Sequence, residues 1–178
     1  LRIDIRCAQG DAERFRRYAA ELVAFTPGAI LAATSPAATA LQAATRVIPI
    51  VFVQVADPVG AGYVDGLARP GGNVTGFMQF EYGLSGKWLE LLKEIFPGVR
   101  RVAVIRDPAI TAGIGQFGAL QALAPSLGVE VIPVNVRSAE EIESAIAGFA
   151  RIPHGGLIVT ASPLATVHRA LIVALAAR

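Results

Sequence analysis

The chain has 178 residues, of which 53% are hydrophobic and 17% charged, and its mean hydropathy is +0.53. This composition excludes an intrinsically disordered chain, because enough apolar side chains are present to fill a packed interior. The single cysteine excludes a disulfide scaffold. A net charge of +2 with scattered arginines gives no basic stripe of the kind that binds nucleic acid.

Strand patterns and helix patterns alternate along the chain. Alternating or continuous short apolar runs predict strands at residues 1–7, 29–33, 48–55, 73–78, 99–106, 129–136 and 157–160. Apolar residues at three- and four-residue spacing predict helices at residues 12–25, 35–45, 84–96, 111–127, 138–149 and from 163 to the end. This order predicts an α/β fold with parallel sheets flanked by helices.

Four local features make the prediction more specific. Residues 1–7 predict a half-buried strand with Cys7 facing inward. Asp11 is the expected N-cap of the first helix, and Ser138 opens a capping box at the fifth. Residues 29–33 form a short apolar run, which is typical of a parallel strand buried on both faces.

A glycine-rich stretch at residues 60–76, with a helical turn predicted around 63–67, interrupts this alternation. Together with residues 82–86 it separates two series of strands and helices of similar size, which predicts two lobes at residues 1–81 and 82–178. Residues 69–73 lack the spacing of a phosphate-binding loop and lead into a strand, so we do not predict nucleotide binding.

Four strands are followed by a serine or aspartate and then a proline, at Ser35, Asp57, Asp107 and Ser162. Each pair alone is a common way to begin a helix after a strand. Together they are expected at the carboxyl ends of parallel strands, where ligands of such sheets bind. Two carboxylates can accept from an ammonium group and helix N-termini suit a carboxylate, so the set fits a zwitterion.

The sequence gives little support for other chemistry. His154 and His168 have no partner at metal-ligand spacing, and no nucleophile motif or cofactor loop is present. No apolar run reaches the ~18 residues of a membrane span. Trp88 and Phe96 lie at the helical spacing of core residues, so Phe80, beside Gln79 and just beyond a strand, is a better candidate for ligand contact than either.

Three segments resemble the substrate-binding proteins of ABC importers: IPIVFVQVADPVGAG at residues 48–62, LARPGGNVTGF at 67–77 and LSGKWLELLKEIFPGVRRVAVI at 84–105. The resemblance extends more loosely over the whole chain. It implies a periplasmic-binding-protein-like fold of type I, in which two lobes close on a small ligand such as an amino acid or an aromatic acid.

Carried over by position, the resemblance implies a ligand-binding set with no metal and no cofactor. The set is Thr34, Ser35, Asp57, Gln79, Phe80, Asp107 and Ser162. The family usually has Gly-Thr-Pro where Thr34-Ser35-Pro36 stands and often an aspartate at Ser162, so the ligand chemistry is expected to differ here.

The resemblance also implies that the first lobe lacks an opening strand and helix and that the second lacks a C-terminal return segment. The implied partners are a small carboxylate-bearing ligand and an ABC permease in the membrane, without nucleic acid. The implied location is the periplasm or a membrane-anchored lipoprotein, with any signal for it outside this chain.

Two alternatives remain beside this non-catalytic receptor. An effector-binding domain of a transcription regulator shares the fold and requires a DNA-binding unit before Leu1. An enzyme using Asp57 or Asp107 as general base is the second alternative, although the sequence supplies no partner nucleophile or metal site.

Overall fold

The computed structural model describes residues 2–177 of the chain. Its contacts divide the chain into two units, Leu1–Glu81 and Tyr82–Arg178. Each unit contains one three-stranded parallel sheet with helices packed on it. The α/β fold predicted from the alternation of strands and helices is confirmed.

The first unit is built on a sheet with strand order β1-β2-β3. Its elements are α1 (Ala12–Ala24), β1 (Ile30–Ala33), α2 (Ser35–Ala44), β2 (Ile50–Val55) and β3 (Val74–Met78). Ile50 and Phe52 of the central strand are almost completely buried and pack with residues of α1 and α2.

The second unit has strand order β5-β4-β6. Its elements are α3 (Ser85–Ile95), β4 (Arg101–Arg106), α4 (Thr111–Leu123), β5 (Glu130–Asn135), α5 (Ala139–Phe149), β6 (Gly155–Val159), α6 (Pro163–Val167) and α7 (Arg169–Ala176). Val102 and Val104 of β4 pack with α3 and α4, whereas Ile105 packs with α5 and α7. Because successive residues of a strand face opposite sides, β4 is buried on both faces.

The two faces of the first sheet differ in burial. Ile30 and Ala32 are buried, but Leu31 is 67% exposed and Phe77 of β3 is 75% exposed. The prediction that residues 29–33 are buried on both faces is therefore wrong. Within the described residues, α1 and α2 cover one face of this sheet. On the other face Leu31 and Phe77 are exposed, and Val51 and Val53 are half-buried.

The predicted strand at residues 1–7 is also wrong, as far as the structure describes it. Residues 2–7 are irregular and Cys7 is exposed rather than inward-facing, while Leu1 lies outside the described residues. The segment is attached to α1 by Arg6, whose Nε lies 3.0 Å from a carboxylate oxygen of Glu21 and whose guanidinium lies over the Phe25 ring. A period of two alone does not make a strand when no neighbouring strand pairs with it.

Predicted helix starts are confirmed where a local hydrogen bond defines them. The Asp11 carboxylate accepts from the Arg14 N–H at 2.8 Å, and this bond holds the pKa of Asp11 below its ordinary value. The Ser138 hydroxyl accepts from the Glu141 N–H at 3.3 Å. The Glu141 carboxylate accepts from the Arg137 N–H at 2.7 Å. In a regular capping box it would accept from the N–H of the N-cap residue, Ser138.

Gly76 in β3 is a position where only glycine fits. Its φ is +156°, and a Cβ there would collide with the Phe52 backbone of the neighbouring strand. We expect Gly76→Ala to lower the free energy of unfolding by about 3 kcal/mol or more, because the backbone of β2 or β3 must move. Denaturant unfolding followed by circular dichroism measures this change.

The matched control for this prediction is Gly72→Ala in the loop before β3, where an added Cβ meets no atom within 4 Å. Its free energy of unfolding should stay within about 0.5 kcal/mol of the unsubstituted protein. Equal effects of the two substitutions would contradict the close approach of the two strands at Gly76.

Candidate functional site

The carboxyl edge of the first sheet brings together the predicted residues of this unit. The Thr34 N–H donates to a β2 carbonyl at 3.0 Å, and the Gln79 N–H donates to the carbonyl of the last residue of β2 at 2.8 Å. The Asp57 N–H donates to the Phe80 carbonyl at 2.8 Å. These bonds extend the sheet past its last residues, so Thr34, Ser35, Asp57, Gln79 and Phe80 lie along one edge.

Asp57 closes a turn at this edge instead of capping a helix, which corrects the sequence prediction. Its φ is +41°, its Oδ1 accepts from the Gly60 N–H at 2.8 Å, and its carbonyl accepts from the Ala61 N–H at 2.8 Å. The helical turn predicted at residues 63–67 is absent, and the turn lies at residues 58–62. These bonds hold the half-buried carboxylate of Asp57 in one place.

Ser35 is the first residue of α2, not its N-cap, so its predicted capping role is wrong. Thr34 occupies the N-cap position and makes no capping bond with its side chain. Ser35 is buried, and its carbonyl accepts hydrogen bonds from the Tyr63 hydroxyl at 3.1 Å and from the Thr39 hydroxyl at 3.0 Å.

Tyr63 is a positioning residue that the sequence analysis missed. Its hydroxyl lies 2.7 Å from the Thr39 hydroxyl, and its carbonyl accepts from Gln42 Nε2 at 3.2 Å. Together with the bond to Ser35, these contacts fasten the loop after β2 to α2. The available signal was a large aromatic residue inside a glycine-rich stretch, where an anchor for the loop is needed.

Thr34 is held in a strained conformation at the same edge. Its φ is +84° and its ψ is 156°, a region that is essentially restricted to glycine. Within the described structure its Oγ1 is buried and makes no hydrogen bond. This is the position at which the sequence resemblance implies glycine, and the threonine here adds a hydroxyl and a methyl group.

The second sheet carries Asp107 and Ser162 at its carboxyl edge. Asp107 follows β4, and its Oδ1 accepts from the Ala109 N–H at 2.9 Å. The next helix begins only at Thr111 without a side-chain cap, so the predicted capping role of Asp107 is wrong. Ser162 is confirmed as the N-cap of α6, because its Oγ accepts from the Ala165 N–H at 3.0 Å.

Gln116 of α4 is a second positioning residue that was missed. It is 0% exposed, and its Oε1 accepts from the Ala161 N–H at 2.9 Å, which fixes the connection between β6 and Ser162. Within the described residues its Nε2 has no hydrogen-bond partner. The available signal was a glutamine four residues from both Ala112 and Leu120, on the buried face of the helix.

The described residues contain no cluster of three histidine, cysteine or acidic side chains that could hold a metal ion. His154 stacks on Phe96, with ring centroids 6.0 Å apart. None of the described helices is both long enough and apolar enough to cross a membrane.

Comparison with known proteins finds one matching family model and several similar proteins. The family model for ABC transporter substrate binding protein matches residues 1–176. A protein of Clostridioides difficile (strain R20291) named tyrosine-binding protein is 31% identical over 170 residues, which are 92% of this chain and 49% of that protein.

Two solved structures are also similar. An ABC domain from Streptococcus pneumoniae in complex with L-Trp has a TM-score of 0.87 and 25% identity, over 98% of this chain and 60% of that chain. A conserved domain protein from Vibrio cholerae has a TM-score of 0.78 and 32% identity, over 84% of this chain and 50% of that one. The chain spans about half of the length of the tyrosine-binding protein that it matches.

The strain at Thr34 gives a prediction opposite in sign to that of most glycine substitutions. Thr34→Gly should raise the free energy of unfolding by about 1 kcal/mol, because the relieved strain and the lost buried hydroxyl outweigh the added chain entropy. Thermal and denaturant unfolding measure it. The control is Thr75→Gly, because Thr75 is exposed on β3 and has no left-handed φ. This variant should have a lower free energy of unfolding. An equal loss of stability in both variants would contradict the strain at Thr34.

Proposed function

Because the chain belongs to the family of ABC transporter substrate-binding proteins, we propose that the whole protein is the solute receptor of an ABC importer. Its ligand is a small carboxylate-bearing molecule, in the first place an aromatic amino acid. This is a family of binding proteins rather than enzymes. The ligand class is supported by the relatives, one named for tyrosine and one solved with L-Trp.

The observation that carries the proposal is the placement of polar side chains at the carboxyl edge of each sheet. Asp57 at the first edge and Asp107 at the second are both fixed by hydrogen bonds to nearby N–H groups. The carboxyl ends of parallel strands are where α/β sheets bind small ligands. We propose that the two edges contribute to one site in a cleft between the lobes, as the family resemblance implies.

Each group in the proposed set has a role suited to an amino acid. Asp57 and Asp107 accept hydrogen bonds from the ammonium group, while the N–H groups at the start of α2, next to Ser35, suit the carboxylate. Phe80 offers an aromatic face to the ligand side chain. The Ser162 oxygen accepts from a helix N–H, so its hydroxyl hydrogen is available to donate to the ligand.

In this proposal the ligand-loaded protein is recognised by a membrane permease, because closure around a ligand changes the surface that both lobes present. Its site of action is outside the cytoplasm, in the periplasm or on a lipid anchor. The two alternatives from the sequence lose support, since the matching family consists of transporter components and not of enzymes.

The direct test is calorimetric titration of the complete protein against L-tryptophan, L-tyrosine, L-phenylalanine and L-leucine. We expect one-site binding of at least one aromatic amino acid, with the ligand recovered unchanged. Binding of none of them, or conversion of the amino acid into a product, would contradict the proposal.

The same assay tests the role of Asp57. Asp57→Asn keeps an oxygen for the Gly60 N–H but removes the negative charge, so the turn is preserved while the ammonium loses its partner. We expect at least tenfold weaker binding, roughly 1.4 kcal/mol. The control is Asp65→Asn, because the Asp65 carboxylate lies beside Gly71, away from the edge. This variant should bind with unchanged affinity. Unaltered binding by Asp57→Asn would remove Asp57 from the site.

A further inference from the structure

Arg106, the last residue of β4, lies at the carboxyl edge of the second sheet immediately before Asp107. Its guanidinium lies 4.6 Å from the centroid of the Phe117 ring. Its Nε donates to Asn135 Oδ1 at 2.9 Å, and Asn135 is its register partner on β5. The side chain is half-buried. The Phe117 ring lies against one face of the guanidinium, and Asn135 holds its Nε.

This arrangement leaves the other end of the guanidinium uncommitted. In the described part of the chain Arg106 forms no ion pair, and the carboxylate of its sequence neighbour Asp107 accepts from the Ala109 N–H instead. An arginine has five N–H donors, and the Nε contact uses one of them. The remaining fork of Nη1 and Nη2 matches the two oxygens of a carboxylate.

The predicted ligand-binding set contains two carboxylates and no cationic side chain. Asp57 and Asp107 are both negative, and the other predicted ligand-binding residues are neutral. An amino acid entering such a site would place its own carboxylate among like charges, which disfavours binding. The N–H groups at the start of α2 carry only partial positive charge. Arg106, at the edge that carries Asp107, adds the full positive charge that the predicted set lacks.

We propose that Arg106 is a ligand-binding residue that receives the carboxylate of the bound amino acid together with the N–H groups at the start of α2. The inference rests on the proposed function. Phe117 and Asn135 fix the guanidinium before the ligand arrives, so that little side-chain entropy is lost on binding. The ligand then bridges Arg106 through its carboxylate and the two aspartates through its ammonium, which selects α-amino acids over amines of the same shape.

Arg137 is the informative comparison, because it also follows a strand of this sheet at the carboxyl edge. It is exposed, and in the described residues no ring or ion pair holds its guanidinium. A general preference of this edge for positive charge would make the two arginines equivalent. If Arg106 binds the ligand carboxylate directly, only the substitution of Arg106 should weaken ligand binding.

The test measures the affinity of the complete protein for L-tryptophan and L-tyrosine at low and high salt concentration. We expect Arg106→Gln to weaken binding at least tenfold and to flatten its salt dependence, because an ion pair at a partly exposed position is screened by salt. Arg106→Lys should keep the salt dependence but lose affinity, since it keeps the charge and loses the fork.

The controls are Arg137→Gln at the same edge and Arg101→Gln at the opposite end of β4, where Arg101 pairs with Glu130 at 3.0 Å. Both should bind within about twofold of the unsubstituted protein. Asn135→Ala, which removes only the bond that orients Arg106, should weaken binding severalfold and serves as the second variant if Arg106→Gln fails to fold.

Each contrary result has a distinct meaning. Unchanged affinity in Arg106→Gln, or an equal loss in Arg137→Gln, overturns the assignment of Arg106. A loss with the salt dependence of the unsubstituted protein shows that Arg106 only supports Phe117 and β5, and this also overturns the assignment. Absence of amino acid binding by the unsubstituted protein overturns the proposed function itself.

Discussion

Parallel pairing of the strands is the constraint on which the candidate site depends. In each unit all three strands run in one direction, so every strand delivers its following residue to the same edge. Asp57 and Phe80 are 23 positions apart in sequence yet meet through a backbone hydrogen bond for this reason. An antiparallel arrangement would send alternate strand ends to opposite edges and scatter the same residues.

Buried polar groups then fix the shape of each edge. Ser35 and Tyr63 tie the first helix after β1 to the loop after β2, and Gln116 ties α4 to the residue before Ser162. Such groups cost free energy when a partner is missing, as at Gln116 Nε2 and at the hydroxyl of Thr34. In the proposed receptor, these groups would hold the two edges in a fixed shape for the ligand.

The sequence predicted what local interactions decide. The order of elements and the caps at Asp11 and Ser162 follow from periodicity and from bonds that span three residues. It failed where residues distant in sequence decide. Leu31 is exposed because no described helix packs on its face. Asp57, whose φ is +41°, forms a turn while its N–H donates to the distant Phe80 carbonyl. Arg106 was overlooked because the partners that fix it lie 11 and 29 residues away in sequence.

A crystal structure of the complete protein grown with L-tryptophan is the most direct test of the proposed ligand site. We expect the amino acid to lie at the carboxyl ends of the strands, with its ammonium against Asp57 or Asp107 and its carboxylate on the guanidinium of Arg106. Density for the amino acid elsewhere, or strand ends occupied by the protein's own side chains in the loaded state, would contradict it.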